Sequence, residues 1–105
     1  MTSQPLSEPS REEIDQFKGA VVLEFGAAWC QYCQALQGII SAELALQSHV
    51  RHIKIEDGKG RRLGRTFTVK LWPTLIFMKD GIELKRLVRQ FDASEIRNAL
   101  ILIAG

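Results

Sequence analysis

Only two cysteines occur in this chain, and they stand two residues apart in Trp29-Cys30-Gln31-Tyr32-Cys33. The run before them, Ala20-Val21-Val22-Leu23-Glu24-Phe25, is nearly all apolar and reads as a strand buried on both faces. From Cys33 onward Leu36, Ile39, Ile40, Leu44 and Leu46 recur at helical spacing, which predicts a helix to about Gln47. The cysteine pair therefore sits at a strand-to-helix junction. There the first sulfur, expected to be exposed, meets unpaired backbone N–H groups and the positive end of the helix dipole, which stabilise a thiolate. The second sulfur lies one turn further on, close enough to attack a mixed disulfide formed at the first. Spacing and context together make a redox signature.

Length and charge narrow the setting. A chain of 105 residues is one domain with a real core. Its formal charge of +2 is too small to argue for a nucleic-acid partner. No apolar run approaches the length that crosses a bilayer. The start, Met1-Thr2-Ser3-Gln4-Pro5-Leu6-Ser7, lacks a basic region followed by an apolar stretch, so the expected location is the cytoplasm. In that reducing compartment a lone Cys-x-x-Cys is catalytic or metal-binding more often than structural.

The remaining segments set an order. Residues 1–9 carry two prolines and read as a flexible tail, with at most a short strand near Leu6; a single domain over 10–105 follows. Ser10-Arg11-Glu12-Glu13 is a capping box that opens a short helix to about Phe17, ended by Gly19. Val50 to Ile55 alternates like a strand, and a short helical segment around Arg61–Phe67 comes after Asp57-Gly58-Lys59-Gly60. Leu71-Trp72-Pro73-Thr74 leads into the strand Leu75-Ile76-Phe77-Met78. Lys79-Asp80-Gly81 is a hairpin signal, with a partner strand from Ile82 to about Val88. Asp92-Ala93-Ser94-Glu95 is a second capping box, opening a last helix to Ile103. Strand–helix–strand followed by a hairpin predicts an α/β fold: a mixed parallel and antiparallel sheet with helices on both faces.

From about Ser10 to Gly105 this pattern resembles the thioredoxin family, so the implied architecture is the thioredoxin fold. The resemblance rests on Trp29-Cys30-x-x-Cys33, the acid at Glu24, Pro73-Thr74, the Asp-Gly hairpin and the terminal helix, in family order. It implies a thiol–disulfide oxidoreductase with Cys30 as nucleophile, Cys33 as resolving thiol and Glu24 as a buried acid that moves protons for Cys33. It also implies a cis-proline at Pro73 and a target groove framed by Trp29, Gln31, Tyr32, Trp72, Pro73, Thr74 and Arg89. The partners it implies are proteins with disulfides and an electron donor such as a reductase, with no cofactor, and a monomeric state. If Glu24 is buried, desolvation disfavours its carboxylate and raises its pKa, and stability is then greatest in acid.

Several positions depart from the family pattern. Gln31-Tyr32 replaces the usual Gly-Pro, and Tyr32 is similar to glutaredoxins, whose glutathione-binding pattern is not seen here. Gly26 stands where many thioredoxins carry tryptophan, and Trp72 replaces a smaller apolar residue. Arg89 aligns with a glycine that leaves the groove open, which predicts a narrower target set.

Other readings compete. Cys30, Cys33, His49 and His52 form a zinc-like set, but the histidine spacing is short for a finger and a chain with this much core needs no metal to fold. Lys59, Arg61, Arg62, Arg65 and Lys70 are a solvated basic face or a dock for an acidic partner. A rival for the whole chain is a binding or assembly module that keeps the fold without turnover.

Overall fold

The computed structural model describes residues 8–89 and 91–104. The tail and strand expected near Leu6 fall, for residues 1–7, outside the described residues. The capping box forms: the Ser10 hydroxyl accepts from the Glu13 N–H at 3.1 Å, and Glu13 accepts from the Ser10 N–H at 2.8 Å. It opens helix α1, Arg11–Asp15, which is shorter than the sequence predicts. Strand β1 is Ala20–Gly26 and helix α2 is Gln31–Ala45. Strand β2 is Arg51–Glu56, and helix α3 is a single turn, Leu63–Thr66. Strand β3, Thr74–Lys79, is joined to β4, Ile82–Val88, by the Asp80-Gly81 turn. Helix α4 is Ala93–Ala104, opened by the second capping box: Asp92 accepts from the Glu95 N–H and Glu95 from the Asp92 N–H, both at 2.9 Å.

The sheet runs in the order β2-β1-β3-β4. β1 pairs with β2 in parallel and with β3 antiparallel, and β3 pairs with β4 antiparallel. β1 is central, as its apolar run predicts. Its two faces feed two cores. On one, Val22 packs with Leu36 and Ile40 of α2 and Ile96, Leu100 and Ile103 of α4. On the other, Val21, Leu23 and Phe25 pack with Ile14 of α1 and with Leu63 and Phe67. Helices thus cover both faces. This is the thioredoxin fold.

Two apolar assignments need correction. Leu46 lies beyond α2 and is 69% exposed, and Ile39 is 40% exposed, so the buried stripe of α2 is narrower than its apolar spacing implies. Its remaining inward position is filled by Glu43, buried and held by two hydrogen bonds from Arg97 of α4 at 3.0 and 2.8 Å. In the all-apolar run Leu100-Ile101-Leu102-Ile103 of α4 only Leu100 and Ile103 face the core; Ile101 and Leu102 are exposed.

The hairpin is pinned from below. Asp80 and Gly81 both have positive φ, 50° and 81°, as a tight two-residue turn requires. The Asp80 carboxylate accepts from the Gly19 N–H at 2.7 Å, and the Asp80 N–H donates to the Gly19 carbonyl at 3.0 Å. A side chain on Gly81 would fall on the Asp15 carbonyl.

Candidate active site

Period-two alternation along β1 places Glu24 on the same sheet face as Val22, beneath α2. The strand then ends at Gly26, and the chain turns through Ala27-Ala28-Trp29 into α2. The Cys30 N–H donates to the Ala27 carbonyl at 3.0 Å, and the Gln34 side chain fixes the Ala28 carbonyl at 2.8 Å. Cys30 is the N-cap of α2, and its Sγ accepts from the Cys33 N–H at 3.2 Å. The sequence predicts an exposed Cys30; it is 5% exposed, at least as covered as Cys33 at 6%. Packing against Ala27 and Trp72 covers it, so its sulfur is reached only through a groove.

Two cavities meet at the cysteines. Behind Cys33 lies one of about 390 Å3, lined by Glu24, Gly26, Cys33, Gln37 and Lys54. The absence of a side chain at Gly26 is structural there: a Cβ on it would stand 2.7 Å from the Cys33 Sγ. Burial, the largest influence, pushes the Cys33 thiol up to about 11; a hydrogen bond with Cys30 and the charges of Cys30 and Glu24 act the same way, against a bond with the Ala27 backbone. Cys33 is therefore a thiol at neutral pH.

Glu24 is 3% exposed but not alone. The Gln37 amide donates to its Oε2 at 2.7 Å, and His52 Nε2 lies 2.7 Å from its Oε1. Lys54 holds the Gln37 amide oxygen at 2.8 Å. Burial pushes the Glu24 pKa up; the His52 and Gln37 bonds, then the charges of His52 and Lys54, outweigh it and leave the pKa below the usual carboxylate value. The sequence expectation of a raised pKa is thus overturned, because the acid is fully partnered. His52 and Lys54 come from β2, whose parallel register sets Lys54 opposite Glu24 and His52 opposite Val22. Sequence reasoning missed His52, Gln37 and Lys54 as neighbours of Glu24. Strand alternation puts His52 and Lys54 on one face, but only the register brings that face to Glu24.

In front of Cys30 runs a groove of about 500 Å3, framed by Trp29, Gln31, Tyr32, Lys70, Trp72 and Arg89. Trp29 is 72% exposed and meets Trp72 edge-on, with ring centroids 5.3 Å apart. The Trp72 indole donates to Asp57 at 2.9 Å, a partner that sequence reasoning also missed. The Trp72–Pro73 peptide bond is cis. Pro73 and Thr74 are buried, and the Thr74 hydroxyl donates to the Leu71 carbonyl at 2.6 Å. The Cys30 sulfur lies 4.0 Å from the Trp72 carbonyl. Arg89 follows β4, where its N–H donates to the Pro73 carbonyl at 3.0 Å. Its guanidinium donates from Nε to the Trp72 carbonyl at 2.7 Å and stacks 4.6 Å from the Tyr32 ring centre. Of the sequence-predicted site residues, Trp29, Gln31, Tyr32, Trp72 and Arg89 thus share the groove with Cys30, Glu24 shares the cavity with Cys33, and Pro73 and Thr74 are buried next in the chain to Trp72 without lining either space.

Comparison with known proteins agrees with this geometry. The family model described as Thioredoxin matches residues 6–101. A thioredoxin of Chlamydia pneumoniae is 34% identical over 93 residues, covering 87% of this chain and 91% of its own. Thioredoxin Asp f 28 of Aspergillus fumigatus is 31% identical over 87 residues, covering 83% and 81%. The structure of thioredoxin 2 from Pseudomonas aeruginosa PAO1 in its reduced form superposes with a TM-score of 0.82 at 45% identity, covering 93% of this chain and 91% of that one. With the fold, the Cys30-x-x-Cys33 pair at the helix N-terminus and these relatives in agreement, the chain belongs to the thioredoxin family and is a thiol–disulfide oxidoreductase.

Proposed function

We propose that Cys30 attacks and Cys33 resolves in the exchange that this protein carries out on protein disulfides. The Cys30 thiolate attacks one target sulfur; a Cys30–target disulfide forms, and the other target sulfur leaves as a thiolate. Cys33, losing its proton, then attacks the Cys30 sulfur. The Cys30–Cys33 disulfide forms and the second target thiolate departs. The target has gained two electrons, the protein has lost two, and a dithiol-bearing reductase restores them. The observation that carries this assignment is the asymmetry of the pair: Cys30 lines the target groove, while Cys33 does not and lines the cavity of Glu24 instead.

Glu24 is the proton acceptor in this reading, since it is ionised at neutral pH and shares the cavity of Cys33. In the resting dithiol Cys33 holds its proton tightly. Once Cys30 is bound in a mixed disulfide it carries no charge and accepts no hydrogen bond as a thiolate. Two of the influences that raise the Cys33 pKa then vanish at the step that needs its thiolate. A carboxylate only accepts, so His52 and Gln37 hold Glu24 as donors and position it.

Trp29, Gln31, Tyr32 and Trp72 frame the target, and its backbone adds alongside the chain at Trp72–Pro73 in the manner of an extra strand. Thr74 and Pro73 support that edge from below. We read the protein as one domain over 10–105 behind a tail, monomeric and cytoplasmic. Its own helices cover both sheet faces, and no helix among the described residues is long and apolar enough to cross a membrane.

Insulin reduction with dithiothreitol tests turnover: wild type accelerates it and Cys30→Ser does not. Cys33→Ser incubated with a disulfide substrate accumulates a mixed disulfide at Cys30, seen as an adduct by mass spectrometry. Adduct at Cys33 in Cys30→Ser, at the same rate, would reverse the roles. Target binding without reduction would instead support an assembly module.

A further inference from the structure

We infer that Arg89 is a latch across the target groove, opened by a carboxylate on the target, so that the preferred substrates are disulfides with an acidic residue beside the cysteine. The inference rests on the proposed reading of Cys30 and of the Trp72 edge. Three observations carry it. First, the Arg89 Nε–H already occupies the Trp72 carbonyl, 2.7 Å away, which is the acceptor that an added strand would use. The same carbonyl lies 4.0 Å from the Cys30 sulfur, so the latch sits at the point of attack. Second, the guanidinium reaches over the Tyr32 ring, tying the β4 side of the groove to the α2 side. Third, the groove carries positive charge without an internal neutraliser. Arg89 and Lys70 both line it, no carboxylate does, and neither forms an ion pair among the described residues.

The Trp72 oxygen has a second lone pair, but the guanidinium lies across the approach to it, so a neutral target must push Arg89 aside and leaves it with poorer hydrogen bonding in a half-covered site. A target carboxylate instead offers the guanidinium a two-pronged acceptor. Arg89 swings to it, the Trp72 carbonyl is freed for the target N–H, and the disulfide is drawn toward Cys30. The same side chain that excludes neutral chains therefore docks acidic ones, which is discrimination by repulsion and attraction at one residue.

The test uses three disulfide peptides that differ only beside the cysteine, with Glu, Gln or Lys, reduced by the full-length protein with dithiothreitol as electron source. Wild type should reduce the Glu peptide roughly tenfold faster in kcat/KM than the Gln peptide, the scale of one charge-assisted hydrogen bond, and the Lys peptide slowest. Added salt should shrink the gap. Arg89→Gly should speed the Gln peptide several-fold and abolish the preference. Arg89→Lys keeps the charge but not the Nε bond, so it should speed the Gln peptide while keeping part of the preference. Equal wild-type rates on the Glu and Gln peptides overturn the inference, as does a preference that survives in Arg89→Gly. A Lys variant indistinguishable from wild type on both peptides overturns the latch even if the Gly variant fails to fold. Insulin reduction by wild type, run in parallel, separates the two levels: its absence defeats the underlying reading, whereas its presence with no peptide discrimination defeats the latch alone.

Discussion

The cavity behind Cys33 and the groove in front of Cys30 serve sulfurs three residues apart, yet their chemistry is opposite. Behind, every oxygen of an ionised acid is held: His52 and Gln37 take one each at 2.7 Å, and Lys54 secures Gln37. In front, aromatic rings and two cations stand without a carboxylate between them. The first arrangement is satisfied internally and suits a proton that must be received at a fixed place. The second is left incomplete, and suits a partner that completes it. In the proposed reading, one helix turn separates a site for proton transfer from a site for recognition. Changes in the cavity should therefore act on the resolving step, and changes in the groove on the choice of target.

The largest break of that division is Glu24→Gln. It keeps the shape of the cavity but removes the proposed proton acceptor, so resolution by Cys33 should slow by about 10²-fold. The lifetime of the mixed disulfide after rapid mixing measures it, while formation of that disulfide at Cys30 should be unchanged. A resolving rate equal to wild type would mean that water, not Glu24, takes the proton.

Gly26→Ala sharpens the comparison next. Its Cβ would stand 2.7 Å from the Cys33 sulfur, closer than such contacts occur, so the sulfur or the loop must move. A loss of about 1–3 kcal/mol in urea unfolding is expected, with a changed alkylation rate at Cys33. Unchanged stability and reactivity would show that this wall of the cavity yields freely.

The smallest effect is one of sign. The folded Glu24 pKa lies below its usual 4.5. Its contribution to stability is therefore complete above the unfolded value and is lost as pH falls through the folded one. The stability gap between wild type and Glu24→Gln should be flat near neutrality and close in acid. A gap that widens in acid would mean the acid is buried without effective partners.

Those partners also mark where the sequence stopped being legible. The fold was readable because its signals are local: both capping boxes form at the residues that announce them, the Asp80-Gly81 turn joins the strands it separates, and β1 is central as its apolar run implies. The redox pair and its helix N-terminus were readable for the same reason. The sign of the Glu24 shift was not. Its partners are 13 and 28 residues away, brought in by α2 and by the register of β2, and a one-residue slip would have turned His52 to the other face. Glu43 was hidden likewise, since an acid on a helix reads as solvated until Arg97 arrives from 54 residues on. Cys30 was expected in the open because cap position says nothing about Trp72, which closes over it from a loop between α3 and β3.

The pinned hairpin bears on how this chain can be handled. Tips of two-residue turns are common places to splice in an epitope or a fused domain, since most of them carry nothing. Here the tip holds the Gly19 amide and carbonyl through Asp80, and there is no room above Gly81. It is a clasp for the segment between α1 and β1, so an insertion would loosen the start of the central strand. A graft belongs instead on the exposed stretch around Ser48-His49, which follows α2 and lies at the far end of that helix from Cys30.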